Sequence, residues 1–291
     1  MTCLGPLTAY RPKAGSGDKR LVFDKRKSET GIAIKIPCGQ CAGCRLESSR
    51  QWAMRAMHEK QMHNRSAFLT LTYNDKCLPP GGSLSLDDYQ KFMKRLRWKL
   101  GPVRFLGCGE YGDTTRRAHY HILLLNCDFT DKLFHKLSPS GARLYVSRTL
   151  DALWSDERGN LGHSLIGDVE FDSCAYVARY VMKKIKGQDV YGERLPPFLT
   201  MSRNPGLGAT WFEKYGGQAY NWDSVIVNGM EVRPPKFYDS KVKSLDPDKI
   251  ELLKKRRRRK AAMHKADNTV RRLRVREVVM MAKLNLKGRS L

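Results

Sequence analysis

The sequence predicts an α+β fold, with a central and mostly antiparallel sheet, helices on one of its faces, an N-terminal cysteine-rich segment and a basic helical tail. Three observations predict it. Apolar runs with strand-like alternation and longer runs with helical spacing follow one another in the order strand, helix, hairpin, helix, strand, helix. The two strand patterns in the middle are joined by only a short polar segment, GDTTRRA, which suits an antiparallel hairpin. A cluster of cysteines precedes this block and a run of cations follows it. The expected organisation is a cysteine-rich segment and helix over 1–64, the main domain over 65–240 and a basic tail over 241–291.

Residues 1–37 read as irregular, ending in two short strand patterns, LVFDKR and GIAIKIP, that suggest a hairpin. A helix is expected over about 44–63, where Leu46, Trp52, Ala53, Ala56 and Met57 recur roughly on one face. FLTLTYND is a strand pattern. Ser85 is an N-cap for LDDYQKFMKRLRWKL, with Asp87 and Asp88 in the first turn and Gly101-Pro102 as the stop. VRFLGCGEYG and HYHILLLNC are the hairpin strands. A helix is expected around 144–156 and a strand in GHSLIGDVEF. Ser173 caps a helix CAYVARYVMKKIKG that Gly187 closes. Residues 190–240 are rich in Gly and Pro with a little strand in SVIVNGMEV, and 246–286 read as two basic helices.

The chain has 291 residues, of which 54 are Lys or Arg and 29 Asp or Glu, a formal net charge of +25. Neutralising phosphates releases condensed counterions, so such an excess implies a polyanionic partner, nucleic acid first and an anionic membrane second. Residues 249–291 hold 16 Lys and Arg against 3 Asp and Glu, and the rest of the chain still carries +12. No stretch has the roughly 18 apolar residues needed to span a bilayer. The N-terminus lacks the apolar core of a signal peptide, so a soluble, intracellular protein is expected. Eight cysteines in such a setting point to metal or free thiols before disulfides.

Two constellations carry chemistry. His119-Tyr120-His121 opens an apolar strand, so both imidazoles point to one face, continued by Leu123 and Leu125. Hairpin pairing places Glu110 of the preceding strand beside His119. Two neutral imidazoles and a carboxylate make a three-ligand metal site with open positions. An isolated H-x-H is more often two unrelated polar residues at a strand mouth. The apolar run behind it and Glu110 across the turn favour the metal. Further on, Tyr176 and Tyr180 stand at i and i+4, on one face of a helix, with Lys183 and Lys184 in the next turn. Two packing tyrosines are the commoner meaning of that spacing. A phenol, with a pKa of about 10, becomes a useful nucleophile when a metal polarises the phosphate or an ammonium stabilises the phenolate.

FLTLTY, then GEYG and HYH, then YVARYVMKK, in that order, resemble the motifs of the HUH endonuclease superfamily. Over roughly residues 38–200 the chain is most similar to the replication initiators of microviruses, especially the gokushovirus branch. Tyr120 stands at the position that is hydrophobic in the superfamily's name. The resemblance implies that His119, His121 and Glu110 hold Mg²⁺ or Mn²⁺. It implies that Tyr180 or Tyr176 attacks the scissile phosphate of single-stranded or origin DNA and stays linked to the 5′ end. The freed 3′-OH then primes rolling-circle synthesis, and the second tyrosine closes the displaced strand. Tyr180 is the first nucleophile on this reading, because Lys183 and Lys184 follow it. The setting implied is the cytoplasm of a bacterial host. A host helicase and polymerase are the implied partners, since no GxxxxGK[ST] loop occurs in the chain.

Cys38-x-x-Cys41-x-x-Cys44 has metal-ligand spacing but only three thiols, and structural zinc takes four ligands. Cys3 is the natural fourth if the N-terminal segment folds back, with His58 or His63 as substitutes. An iron–sulfur cluster also suits the spacing. Cys77, Cys108, Cys127 and Cys174 read as small hydrophobes. The run Lys254, Lys255, Arg256, Arg257, Arg258, Arg259 and Lys260 exceeds what a solvated face usually shows, and nonspecific DNA binding is the better reading. The tryptophans are more often packing residues, although one or two can stack unpaired bases. Against the initiator stand a single-strand transposase or relaxase of the same superfamily and a noncatalytic zinc-containing nucleic-acid-binding protein. Metal-dependent cleavage separates the last from the others.

Overall fold

The computed structural model describes residues 2–15, 20–112, 115–179 and 191–286. Tyr180, Lys183 and Lys184, and the helix end expected at Gly187, lie outside the described residues. The chain divides into two compact units, one formed by Ser49–Pro247 and the other by Met1–Ser48 with Asp248–Leu291.

In the unit formed by the two ends of the chain, strand β1 (Leu7–Ala9) pairs antiparallel with β2 (Ile34–Ile36). The hairpin expected between LVFDKR and GIAIKIP does not form. The partner of β2 comes from the segment read as irregular, and Val22 contributes only an isolated bridge to Tyr10. Period-2 alternation over so few residues identifies an extended segment, not its partner. Helix α1 (Ala42–Lys60) follows, close to its expected span, and runs across the boundary between the units.

The other unit is built on a seven-stranded sheet. Its members, in chain order, are β3 (Ala67–Thr72), β4 (Phe105–Tyr111), β5 (Ala118–Leu124), β6 (Leu133–Leu137), β7 (Arg143–Val146), β10 (Ser164–Gly167) and β11 (Phe198–Met201). The short ladder β8 (Ser155–Asp156) with β9 (Gly159–Asn160) stands apart. The spatial order is β11-β4-β5-β3-β10-β7-β6, with every pairing antiparallel. The expected β4–β5 hairpin forms, with Glu110 opposite His119 and Cys108 opposite His121.

Helices cover both faces of this sheet, not one. Tyr120, Ile122 and Leu124 of β5 share a core with Tyr89, Phe92 and Leu96 of α2 (Leu86–Leu100) and with Leu150 and Leu153 of α3 (Arg148–Leu153). The alternate residues Leu123 and Leu125 share a second core with Ala53 and Ala56 of α1 and with Cys174 and Val177 of α4, described over Phe171–Arg179. The reason is the composition of the central strands: every residue of β4 is buried, and a strand apolar on both sides needs a layer on each.

Local signals hold where they are strong. The Ser85 hydroxyl accepts a hydrogen bond from the Asp88 amide, and Gly101, at φ 79°, ends α2 in a conformation that favours glycine. Weaker signals fail. The helix expected over 144–156 is split, because Leu144–Val146 extend β7 and only Arg148–Leu153 are helical, with Ser147 as the cap. Ser173 lies inside α4, and its hydroxyl reaches back to Glu170. The Gly- and Pro-rich region holds β11, α5 (Ala209–Trp222), the hairpin β12 (Val225–Val227) with β13 (Met230–Val232), and α6 (Lys236–Leu245). The basic tail forms the two expected helices, α7 (Pro247–Met263) and α8 (Val270–Leu286).

Tyr120 joins the layers away from the metal motif's face. Its hydroxyl donates to the Ser85 carbonyl at 2.8 Å, accepts from the Ser85 amide at 2.9 Å and meets the Tyr73 hydroxyl at 2.9 Å. Tyr120→Phe would leave the half-buried Ser85 amide without this partner, while the Ser85 carbonyl keeps the Tyr89 amide at 3.3 Å, and a donor so left costs about 1–3 kcal/mol. Tyr120→Phe is therefore expected to lower unfolding stability by about that amount in urea titrations, with no loss of Mn²⁺ binding.

Candidate metal centres

The β4–β5 register and the alternation of side chains bring Glu110, His119 and His121 to one face of the sheet. Glu110 Oε1 lies 3.0 Å from His119 Nε2 and 3.0 Å from His121 Nε2. The carboxylate is almost fully buried, and the His119 ring is the more open side of the group. Burial works to raise the Glu110 carboxyl, but its bonds and charge interactions with the two histidines outweigh it and hold it below the ordinary range. Burial also holds His121 below the usual imidazole value, against the pull of Glu110.

Ring partners decide which nitrogens face inward. His119 Nδ1 lies 3.0 Å from the Arg117 carbonyl oxygen, which can only accept, so Nδ1 carries a proton. In the neutral ring Nε2 is then a lone pair aimed at Glu110. His121 Nδ1 meets the Thr70 hydroxyl at 3.1 Å, and the Phe68 ring stacks on His121 with centroids 5.4 Å apart. The second carboxylate oxygen, Glu110 Oε2, is buried without a hydrogen-bond partner among the described residues. Two imidazole nitrogens and a carboxylate oxygen thus converge on one point beside an orphaned carboxylate oxygen, and a shared cation would satisfy them together. Two imidazoles and a carboxylate suit a divalent metal with open positions, and outer partners such as Thr70 are what fix ring orientation in such sites.

Tyr176 stands over this group. Its hydroxyl donates to Glu110 Oε1 at 2.9 Å, and its ring meets the His121 ring edge-on at 5.1 Å between centroids. The Arg179 guanidinium lies 5.3 Å from the Tyr176 ring centroid.

Thr70 and Phe68 were not among the residues expected at the site. Alternation in FLTLTY puts Phe68, Thr70 and Thr72 on one face, but only the register Thr70↔His121 shows which face.

The cysteine cluster assembles in the unit formed by the chain ends. Cys3, Cys38, Cys41 and Cys44 bring their sulfurs within 4.8 Å of one another, and all are free thiols. Cys3 Sγ lies 3.6 Å from Cys38 Sγ and 3.9 Å from Cys41 Sγ. A tetrahedron of Zn–S bonds of about 2.3 Å has edges of about 3.8 Å, so the spacing fits. The Leu4 amide donates to Cys41 Sγ and the Cys38 amide to Cys3 Sγ. Burial raises the Cys41 thiol, but the amides of Leu4 and Cys44 and the neighbouring thiols bring it down to about 6. Burial pushes Cys44 up to about 12. Gly43 makes the assembly possible, because a Cβ there would sit 1.9 Å from the Thr2 carbonyl oxygen.

His58 and His63 are not the fourth ligand. His58 is buried against Trp211, with ring centroids 3.6 Å apart, and its Nδ1 meets the Tyr238 hydroxyl at 2.9 Å. Its burial lowers its pKa to about 4. His63 faces Glu59 at 3.7 Å. Cys77, Cys108 and Cys174 are buried as small apolar residues, and Cys127 is half-buried. Lys254–Lys260 lie on α7, mostly exposed, with Lys254 bonded to Glu251 at 2.7 Å. At 3.6 residues per turn, seven successive cations surround the helix on every side.

Comparison with known proteins gives the chain its family. The family model of the ORF2-type replication-associated protein matches residues 66–185, a span that contains β3, the metal-site hairpin and α4. The replication-associated protein VP4 of Bdellovibrio phage phiMH2K is 34% identical over 260 residues, covering 86% of this chain and 79% of its own. The replication-associated protein ORF2 of Spiroplasma virus 4 is 30% identical over 268 residues, 83% of this chain and 80% of its own. A third relative, the replication-associated protein ORF4 of Chlamydia phage 1, is 28% identical over 231 residues, 74% of this chain and 55% of its own. The chain belongs to this family of replication-associated proteins of microvirus-like phages. No solved structure matches it.

Two outcomes are expected from metal measurements. Calorimetric titration with Mn²⁺ should lose its signal in His121→Ala and show affinity weakened by about 10–100-fold in Thr70→Val, which keeps the shape but not the hydroxyl. Zinc content per chain, read by elemental analysis, should fall in Cys41→Ser and also in Gly43→Ala, whose methyl displaces Thr2 and with it Cys3.

Proposed function

We propose that this protein initiates rolling-circle replication by nicking single-stranded or supercoiled origin DNA and later rejoining the displaced strand. The observation that carries the reading is the bond from the Tyr176 hydroxyl to Glu110 Oε1, the atom that also touches both imidazoles. A phenol is thereby held at the metal-type centre of a replication-associated protein.

Glu110, His119 and His121 would hold Mg²⁺ or Mn²⁺, which supplies Lewis acidity to the scissile phosphate. The rest of the step belongs to the chain. The tyrosine oxygen attacks phosphorus in line with the leaving 3′ oxygen. A bond from tyrosine oxygen to phosphorus forms as the bond from phosphorus to the 3′ oxygen breaks, and the proton shed by the phenol balances the one taken up by the free 3′-OH. One phosphodiester is exchanged for another, so the linkage keeps the energy needed for rejoining. The 3′-OH primes synthesis.

Tyr176 and Tyr180 are the two nucleophiles, one for initiation and one for closure. Lys183 and Lys184 stabilise the phenolate or the charge of the transition state. Tyr180 acts first on the argument that these lysines follow it, and Tyr176 has in its favour the contact with Glu110. The chemistry belongs to residues 65–240. The cysteine segment over 1–64 holds structural Zn²⁺, and Lys254–Lys260 in the tail over 241–291 bind DNA phosphates without sequence preference. A host helicase and polymerase in the bacterial cytoplasm supply unwinding and synthesis.

The test is cleavage of single-stranded and supercoiled DNA bearing a candidate origin, with Mn²⁺, Mg²⁺ or chelator. Products are resolved on denaturing gels before and after protease digestion. Wild type is expected to give a protein-linked 5′ product that chelator abolishes. His121→Ala should slow it about a thousandfold or more, since a Lewis-acid metal contributes several kcal/mol. Tyr176→Phe and Tyr180→Phe should each lose one of the two strand transfers, and the double variant both. DNA binding by wild type without cleavage in any metal would leave a noncatalytic binding protein instead.

A further inference from the structure

A concave pocket between α5 and the β12–β13 hairpin has no part in the chemistry above. It encloses about 780 Å³, within the range of roughly 300–1,000 Å³ usual for small-molecule sites. Trp211, Tyr215, Gln218 and Trp222 line it from α5, and Ser224 and Glu231 close it from the hairpin side. The α5 positions fall at i, i+4, i+7 and i+11, a single stripe along one helix face.

The three rings are unlike one another. Trp211 is a fixed wall: one face stacks on His58, and its Nε1 donates to Gln61 at 2.8 Å. Tyr215 stands beside it, with ring centroids 5.5 Å apart at an interplanar angle of 44°. Trp222 is 78% exposed. Leaving that much indole in water forgoes a large part of the stabilisation an aromatic side chain offers when buried. The Lys214 ammonium lies 5.1 Å from the Tyr215 ring centroid and puts a cation at the rim.

This mixture selects its occupant. Ala219, Val225 and Ile226 also line the pocket, so a lipid chain or an aliphatic peptide segment would cover the apolar surface but leave the polar groups of Gln218, Ser224 and Glu231 unused. An unpaired nucleobase uses both features, its faces against the rings and its edge donors and acceptors against amide, hydroxyl and carboxylate. The phosphate on either side of that base carries the charge that Lys214 complements, in a chain of net +25. The α1 helix packs on the sheet face that carries Glu110, His119 and His121, and His58 near its end backs the pocket wall.

We propose that the pocket formed by Trp211, Tyr215 and Trp222 takes unpaired bases of single-stranded DNA by stacking, with Lys214 on an adjacent phosphate. The proposal rests on the replication reading for the identity of the polymer, but its test does not use cleavage.

The full-length chain, without added Mg²⁺ or Mn²⁺, is titrated with a short oligodeoxythymidine, with an abasic strand of equal length and charge, and with a duplex. Tryptophan fluorescence and anisotropy are the readouts. The base-bearing strand is expected to quench fluorescence and to bind more tightly than the abasic strand and the duplex. Base–aromatic stacking predicts that Trp222→Ala binds the base-bearing strand about 5- to 100-fold more weakly, with Trp222→Phe within about threefold of wild type. Circular dichroism confirms that each variant is folded, as the exposure of Trp222 leads one to expect, and Tyr215→Ala serves as the second variant. Equal affinity for base-bearing and abasic strands overturns the proposal, as does wild-type affinity in both alanine variants. A dimer that dissociates in Trp222→Ala overturns it too, by making a second copy the occupant. Trp222-dependent binding by a chain that never cleaves DNA would sink the nickase and leave the pocket; cleavage with Trp222-independent binding would do the reverse.

Discussion

The arrangement rests on three lone-pair donors held together under a packed sheet. Glu110 Oε1 stands 3.0 Å from the Nε2 atoms of His119 and His121, with its second oxygen buried and unpartnered among the described residues. Strand pairing enforces this convergence. The Glu110↔His119 register is one step in a ladder that runs from Phe105↔Leu124 to Tyr111↔Ala118. A slip of one residue would turn both histidines and the carboxylate to opposite faces and expose an apolar core with them. The hydrophobic packing that stabilises the domain thus also maintains the convergence of these ligand-type groups.

The β5 strand serves two layers at once. Its odd-numbered residues carry His119 and His121 of the candidate metal site and then Leu123, and its even-numbered ones carry Tyr120, Ile122 and Leu124 into the opposite core. Tyr120, between the histidines, bonds to the backbone at Ser85, where α2 begins. The middle position of the motif is therefore a packing and capping residue, and its phenol has no contact with the metal side. On the metal side, Thr70 and the Arg117 carbonyl orient the two rings and the Tyr176 hydroxyl reaches the shared carboxylate oxygen. The phenol and the ligand-type side chains come from different elements, α4 and the hairpin.

The two remaining charged or reactive clusters follow separate logics. The thiols of Cys3, Cys38, Cys41 and Cys44 come together because Gly43 lets the Thr2 backbone approach helix α1 where no side chain fits. The cations of α7 surround their helix on all sides and so spread a positive field without a single contact face.

By itself the sequence determined everything that depends on residues near one another along the chain. The hairpin, the His119/His121 face, Glu110 across the turn, the Ser85 and Gly101 boundaries, the two basic helices and the CxxCxxC spacing are all local, since pitch, pleat and capping act over a few residues. The return of Cys3 was legible as a need for a fourth ligand. Tertiary structure decided what depends on distant pairing. Thr70 became a partner of His121 through the β3–β5 register, across 51 positions of chain. His58 became a core residue against Trp211 and Tyr238, not a ligand. Helices came to cover both faces because the all-buried β4 requires two layers. The Trp211–Trp222 pocket took shape only when the β12–β13 hairpin, legible in SVIVNGMEV, met α5, hidden in a Gly- and Pro-rich stretch. Periodicity states which side of an element is apolar; only the packed fold states what that side meets.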